Sequence, residues 1–169
     1  MEAPLAQLVI GVAERDALMA AARASYPEEC CGLLVGRRLS TEGAGAAARG
    51  WVTRVIPATN QHPAPRRRFE LDPSVHIALL KELRAAGTVG GEELLGHYHS
   101  HPDAAAAPSR QDLEQANDPT LIWIIIGPVR GGRTDITAWR VVAGNTGMPA
   151  FEGLPLIAGD EFPARPKNA

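Results

Sequence analysis

The sequence predicts an α/β domain: one mixed sheet with helices covering its faces. Three observations carry that expectation. Short strand-like apolar runs alternate with stretches of helical periodicity from Leu8 to Val142. The run Leu121–Ile126, Leu-Ile-Trp-Ile-Ile-Ile, is almost continuously apolar, as a strand covered on both faces has to be. A chain of 169 residues, 45% hydrophobic and 21% charged, suits a single globular domain with an ordinary core.

In chain order, Leu8-Val9-Ile10 is suited to open the sheet. Glu14 to Ser25 reads as a helix, with Ala17, Leu18, Ala21, Ala22 and Ser25 at helical spacing. Tyr26-Pro27 ends it, because the residue before a proline avoids the α region. Cys30 to Val35, bounded by Pro27 and Gly36, reads as a buried strand with Glu29 at its entrance. The adjacent cysteines would point to opposite faces of that strand, as small buried hydrophobes in a reducing compartment. Residues 37–50 are Gly/Ala-rich and aperiodic, so a mobile hairpin loop is expected there.

Trp51 to Ala58 alternates as a strand, and Arg66-Arg67-Arg68 falls in the loop after it. Three arginines can grip an acidic partner, but a single triplet is more often a solvated loop. Asp72 then suits an N-cap and Pro73 the first helical position. Val75, Leu79, Leu80 and Leu83 form that helix's apolar stripe, and Gly87 is its natural stop. Leu94 to His101 reads as a strand, Ser109 to about Asn117 as a helix, Leu121–Ile126 as the central strand and Thr134 to Val142 as another. Gly144 to Gly147 supplies a turn. Phe151 to Ile157 is expected as a last edge strand, Pro155 barring it from the interior. The domain is thus expected over residues 1–157, with 158–169 as a disordered tail.

The chemistry concentrates in residues 96–112, which contain His99-Ser100-His101-Pro102 and Ser109-Arg110-Gln111-Asp112. Residues two apart share one face of a strand, so both imidazoles can lean onto one ion. Asp112, in the first turn of the following helix, can add a carboxylate oxygen. Two nitrogens and one oxygen leave a tetrahedral zinc one position for water, the pattern of a catalytic rather than a structural site. His97 shares the same face, so three histidines compete for two places. Ser109-x-x-Asp112 alone would also pass for an ordinary capped helix start.

This stretch resembles the JAMM (MPN+) metallopeptidases, whose motif is a distant Glu, then His-x-His-Pro, a loop and Ser-x-x-Asp. The resemblance covers most of the chain, from the first helix to the last long strand. Arg68-Phe69-Glu70-Leu71-Asp72-Pro73 also resembles a stretch common in prokaryotic members. It implies a single MPN (JAB) domain of cytidine-deaminase-like architecture; a true deaminase would need His-x-Glu and Pro-Cys-x-x-Cys, which are absent. It makes His99, His101 and Asp112 the zinc ligands and leaves His97 a neighbour. By its register before Gly32-Leu33-Leu34 it makes Glu29, not Glu28, the catalytic carboxylate, with Ser109 as the oxyanion donor.

The implied activity is that of a zinc metallopeptidase (isopeptidase) of the JAMM type. It would hydrolyse a peptide or isopeptide bond after the Gly-Gly C-terminus of a ubiquitin-like sulfur-carrier protein. The short spans from His101 to Ser109, and from Asp112 to the next strand, point to the compact prokaryotic form. A non-catalytic MPN-type scaffold is the alternative, opposed by the intact ligand set. No phosphate-binding or dinucleotide loop supports a small-molecule enzyme. A net charge of −2 argues for neither nucleic acid nor a membrane surface. No apolar run approaches the roughly 20 residues a bilayer requires. The start, Met1-Glu2-Ala3-Pro4, lacks a signal peptide's basic and apolar regions, so a cytoplasmic protein is expected. The sequence leaves the oligomeric state open.

Overall fold

A computed structural model describes residues 4–40, 47–145 and 147–159. The elements are β1 (Leu5–Ile10), α1 (Val12–Ser25), β2 (Cys31–Ser40), β3 (Ala48–Ala58), α2 (Pro73–Gly90) and β4 (Glu93–Ser100). They continue with α3 (Arg110–Gln115), β5 (Ile122–Gly127), β6 (Asp135–Ala143), β7 (Pro149–Leu154) and β8 (Leu156–Ala158). The eight strands form one sheet in the order β7-β6-β5-β4-β2-β3-β1-β8. It is mixed: β1–β3, β1–β8 and β4–β5 are parallel, and the other pairs antiparallel. No helix among the described residues is long and apolar enough to cross a membrane.

The stretch expected as one edge strand is two strands on opposite edges of the sheet. Only Pro155 separates β7, which pairs with β6, from β8, which pairs with β1. The sheet therefore has to curl until its edges meet. The meeting is visible where Leu8 N donates to the Pro155 carbonyl (2.9 Å) and the Arg140 guanidinium to the Leu5 carbonyl (2.9 Å). Pro155 lacks an N–H to offer a ladder, which is why pairing changes hands at that residue.

α1 packs by one face on the inner side of the sheet, where Leu18 and Ala22 are fully buried against Leu8 and Ile10 of β1, Leu34 of β2 and Ile124 and Ile126 of β5. Every residue of β5 is buried, as its apolar run foretold. Each such isoleucine is worth about 1.5–3 kcal/mol relative to exposure. On the outer face, Leu79 of α2 packs on Leu33 and Val35, and a second cluster joins Cys31, Phe69, Trp123 and Val141. The two cysteines do face opposite ways, Cys30 inward and Cys31 outward.

Two further boundaries differ from the sequence reading. β2 continues to Ser40 and β3 starts at Ala48, so much of the expected loop is a ladder. Ion pairing of Arg38 with Glu93 (2.8 Å) holds polar residues in strand there, a contact no local pattern announces. The loop's centre, 41–46, lies outside the described residues. At the other end Ala158 pairs in β8 and Gly159 N donates to the Ile10 carbonyl (3.1 Å), so the sheet enters the expected tail. The rest of that tail, 160–169, also lies outside the described residues. The expected stop at Gly87 is real: its φ of 60° and ψ of −160° interrupt the span assigned to α2.

Gly32 of β2 faces Tyr98 of β4 across the ladder. A Cβ at residue 32 would meet the Ile56 carbonyl and the Tyr98 ring at impossible range, and Tyr98 is fully buried. Gly32→Ala is expected to cost about 1–3 kcal/mol of stability, read as a lowered urea midpoint with unchanged slope. An unchanged midpoint would show that the ring can move aside.

Candidate metal centre

The site is assembled where the C-terminal end of β4 meets the start of β2 and the start of α3. A bulge in β4 sets the face. The β2–β4 register slips between Leu34 and Val35, opposite Leu95, so Leu95 and His97, two residues apart, fall on opposite faces. Beyond it Tyr98 joins the inner core while His97 and His99 lie on the outer face against Phe69 and Trp123. Ser100, between the two motif histidines, is fully buried and clamps the strands together. Its N–H donates to the Cys30 carbonyl (3.1 Å) and its Oγ accepts from Cys30 N (2.8 Å). This pair fixes Glu29, the next residue back, beside the end of β4.

α3 begins at a capping box. Ser109 Oγ accepts from Asp112 N (3.2 Å), and Ser109 N donates to Asp112 Oδ2 (2.6 Å). The same carboxylate faces the histidines: Oδ1 lies 3.0 Å from His99 Nε2 and Oδ2 lies 3.4 Å from His101 Nε2. The two Nε2 atoms are 3.1 Å apart. Ligands held about 2.0–2.1 Å from a tetrahedral zinc stand about 3.3 Å from one another, so this convergence fits an ion with modest adjustment. His101 Nδ1 lies 2.8 Å from the Ala105 carbonyl, which selects the tautomer that leaves Nε2 with a lone pair. His99 Nδ1 is buried with no partner among the described residues, while Phe69 stacks on its ring at 4.5 Å and 18°. His99, His101 and Asp112 form a buried group able to hold a metal ion. The donor set, two imidazoles and a carboxylate, suits zinc.

Burial would raise the Asp112 carboxyl, but hydrogen bonds from His101 and His99 hold it well below the usual carboxylate range. His99 is pushed down by burial against the pull of Asp112. His101 is raised, its bonds to Asp112 and Ala105 outweighing burial. Glu29, 7% exposed, is pushed up to about 7, chiefly by burial, with His101 opposing and Asp112 adding to the rise. Such a carboxyl can both accept and return a proton near neutrality.

Glu29, His101 and Ser109 line one cleft of about 580 Å³. A cavity of equal volume at the opposite end of β5 is mostly apolar, and its arginines, Arg38 and Arg140, are already paired. The site residues read from the sequence thus come together. His97 stays outside the metal-competent group, edge-on to Trp123 at 4.1 Å. Three contributors went unread: Phe69 over His99, Asn60 behind Glu29, and Arg66 with Arg67 on the cleft's rim. The arginine triplet and the family-like stretch holding Phe69 had left a trace in the sequence; Asn60 had not.

The model for prokaryotic homologs of the JAB domain matches residues 12–142. A desampylase of Haloferax volcanii is 31% identical over 79% of this chain and 88% of its own length. A probable TtuB-protein conjugate cleaving protease of Thermus thermophilus is 44% identical over 47% of this chain and 52% of its own. A CysO-cysteine peptidase of Mycobacterium tuberculosis is 29% identical over 81% and 84%. The solution structure of protein DSY2949 from Desulfitobacterium hafniense superposes with a TM-score of 0.72 at 28% identity, covering 92% of this chain and 94% of that one.

The raised Glu29 carboxyl has a stability signature. Between pH 4.5 and about 7 the folded state keeps a proton that the unfolded chain has released, so stability falls as pH rises through that window. In metal-free protein, Glu29→Gln should therefore gain on the wild type from pH 4.5 to 7 and keep that gain above it, in urea midpoints. A difference independent of pH would show that the carboxyl is not raised.

Proposed function

Since the chain belongs to the prokaryotic homologs of the JAB domain, we propose that it is a zinc metallopeptidase acting after the Gly-Gly C-terminus of a small ubiquitin-like carrier protein. The single observation that carries this reading is the convergence of His99, His101 and Asp112 beside Glu29 and Ser109 on one cleft. The names of the relatives support the substrate class: a probable TtuB-protein conjugate cleaving protease and a CysO-cysteine peptidase. Both cysteines are free and buried, in keeping with a reducing compartment such as the cytoplasm.

His99 and His101 would hold the ion through Nε2 and Asp112 through its carboxylate. Bound there, zinc supplies Lewis acidity, which acidifies water and polarises a carbonyl. Glu29 takes the proton of the attacking water and returns it to the departing amine, as its poise near neutrality permits. Ser109 Oγ already accepts from Asp112 N, which leaves its hydroxyl proton free to donate to the oxyanion that develops on the substrate. Cys30 and Cys31 are pushed by burial to about 11 and about 12, so neither offers a thiolate for nucleophilic work.

Purified protein should carry one zinc per chain. Alanine at residue 99, 101 or 112 should abolish it, and His97→Ala should retain it, by elemental analysis. Loss of zinc from the His97 variant together with its retention in His99→Ala would move the ligand register by two residues.

A carrier protein bearing an amino-acid adduct after Gly-Gly should lose the adduct's mass on incubation with zinc-loaded enzyme. Glu29→Gln should keep its zinc and lose nearly all turnover, and Ser109→Ala should lower kcat by about 10²–10³. Full activity of Glu29→Gln would remove it from proton transfer. No loss of the adduct's mass would sink the carrier-tail assignment.

A further inference from the structure

We propose that Arg66 and Arg67 recognise the free α-carboxylate of a single released residue, making the enzyme a carboxyl-terminal exopeptidase. The inference rests on the peptidase reading above and specifies the leaving group.

Both arginines line the cleft that holds Glu29, His101 and Ser109. Some arginines of this chain pair with carboxylates: Arg38 with Glu93, Arg54 with Glu82 and Glu92, Arg110 with Glu114 and Arg133 with Asp135. Among the described residues no carboxylate pairs with Arg66 or Arg67. Of the two acids that line the cleft, Glu29 is largely buried and Asp103 takes a hydrogen bond from the Tyr26 hydroxyl (3.2 Å). Arg66 and Arg67 thus bring two cations to a cleft whose one exposed carboxylate, Asp103, is paired with neither.

Their mount is rigid. The Asn60 amide donates to the carbonyls of Glu29 (3.0 Å) and Arg68 (3.0 Å), while its Oδ1 accepts from the N–H groups of His62 and Glu70 (3.0 Å each). Glu29 N in turn donates to the Pro65 carbonyl (2.7 Å). One side chain therefore rivets the turn that carries the arginines to the backbone of Glu29. A loop that served only as solvated surface would not require this registration with the site.

The chemistry selects the ligand. Hydrolysis breaks the amide C–N bond, the water oxygen joins the carbonyl carbon, and a proton passes through Glu29 to the amine. In a one-residue leaving group the carboxylate carbon is two bonds from that amine, within an arginine's reach of Glu29's cleft. A lysine side-chain amine offers only methylenes at that distance. Guanidinium forks match a carboxylate in charge and plane, and such charge-assisted contacts commonly change affinity by about tenfold or more.

The test compares two fluorescein-labelled peptides ending Gly-Gly-Ala, one with a free carboxylate and one with a C-terminal amide. Turnover is read on zinc-loaded enzyme and binding by anisotropy on metal-free protein, for wild type and for the double variant Arg66→Gln, Arg67→Gln. The wild type should favour the acid by about tenfold or more in kcat/KM and in binding. The double variant should bring both ratios toward one by weakening the acid. Equal handling of acid and amide by the wild type, absence of binding by both included, overturns the proposal. So does an equal loss on both peptides in the variant, which would place the arginines' role elsewhere. If zinc-loaded wild type cleaves neither peptide, the peptidase reading fails, and the anisotropy ratio still decides the carboxylate site.

Discussion

The structure turns on one buried carboxylate. Asp112 is 4% exposed, and an isolated anion there would cost several kcal/mol. It is kept ionised by Ser109 N at 2.6 Å and by the two histidines. The capping box that starts α3, worth about 1 kcal/mol, therefore also fixes the rotamer that aims both oxygens at the imidazoles. The plain reading of Ser-x-x-Asp as a helix cap and the functional reading describe the same hydrogen bonds. α3 has only six residues, too short to persist without them.

The fold's contribution is to bring three distant segments to one point without exposing the sheet's ends. Curling the sheet seats one face of α1 and joins β7 to β8 across the two edges, so neither edge is left long and unpaired. The outer face is then left for chemistry. There α2 covers only the β2–β4 side through Leu79, and Phe69 and Trp123 cover the ground beside the histidines. Ser100 is the seam: its two bonds to Cys30 tie the strand that carries the histidines to the one that begins after Glu29. Glu29 could not be placed by a flexible loop and still be so little exposed.

What the sequence disclosed follows from the range of the interactions involved. The histidine pair, the capping box, the helix stop at Gly87 and the buried run of β5 are encoded within a few residues, and period and spacing reveal them. The β7–β8 switch, the strand character of Arg37 to Ser40 and the riveting by Asn60 depend on partners far along the chain. Asn60 joins residues 29 and 68 through one amide, and nothing about an Asn after a strand distinguishes that role from an ordinary turn. Phe69 was visible only within a family-like stretch before a helix; its stacking on His99 needs the loop's path.

The three alternating histidines show how a shared strand face becomes three chemical identities. His101 has a carbonyl on Nδ1 and a carboxylate near Nε2, so it is raised and correctly tautomeric for ligation. His99 has the carboxylate but, instead of a second polar partner, the face of Phe69, which fixes the ring by stacking rather than by hydrogen bonding. His97 has neither the carboxylate contact nor the stacking: its ring meets Trp123 edge-on and Phe69 at a tilt, its Nδ1 is buried with no partner among the described residues, and burial with the neighbouring His99 pushes it down to about 3. A histidine that stays neutral through the whole physiological range serves there as an aromatic wall. It separates a second cavity, bordered by His62 and His76, from the ligands. Strand alternation offered three ligands, and the position of one carboxylate, Asp112, chose the two nearest the proline.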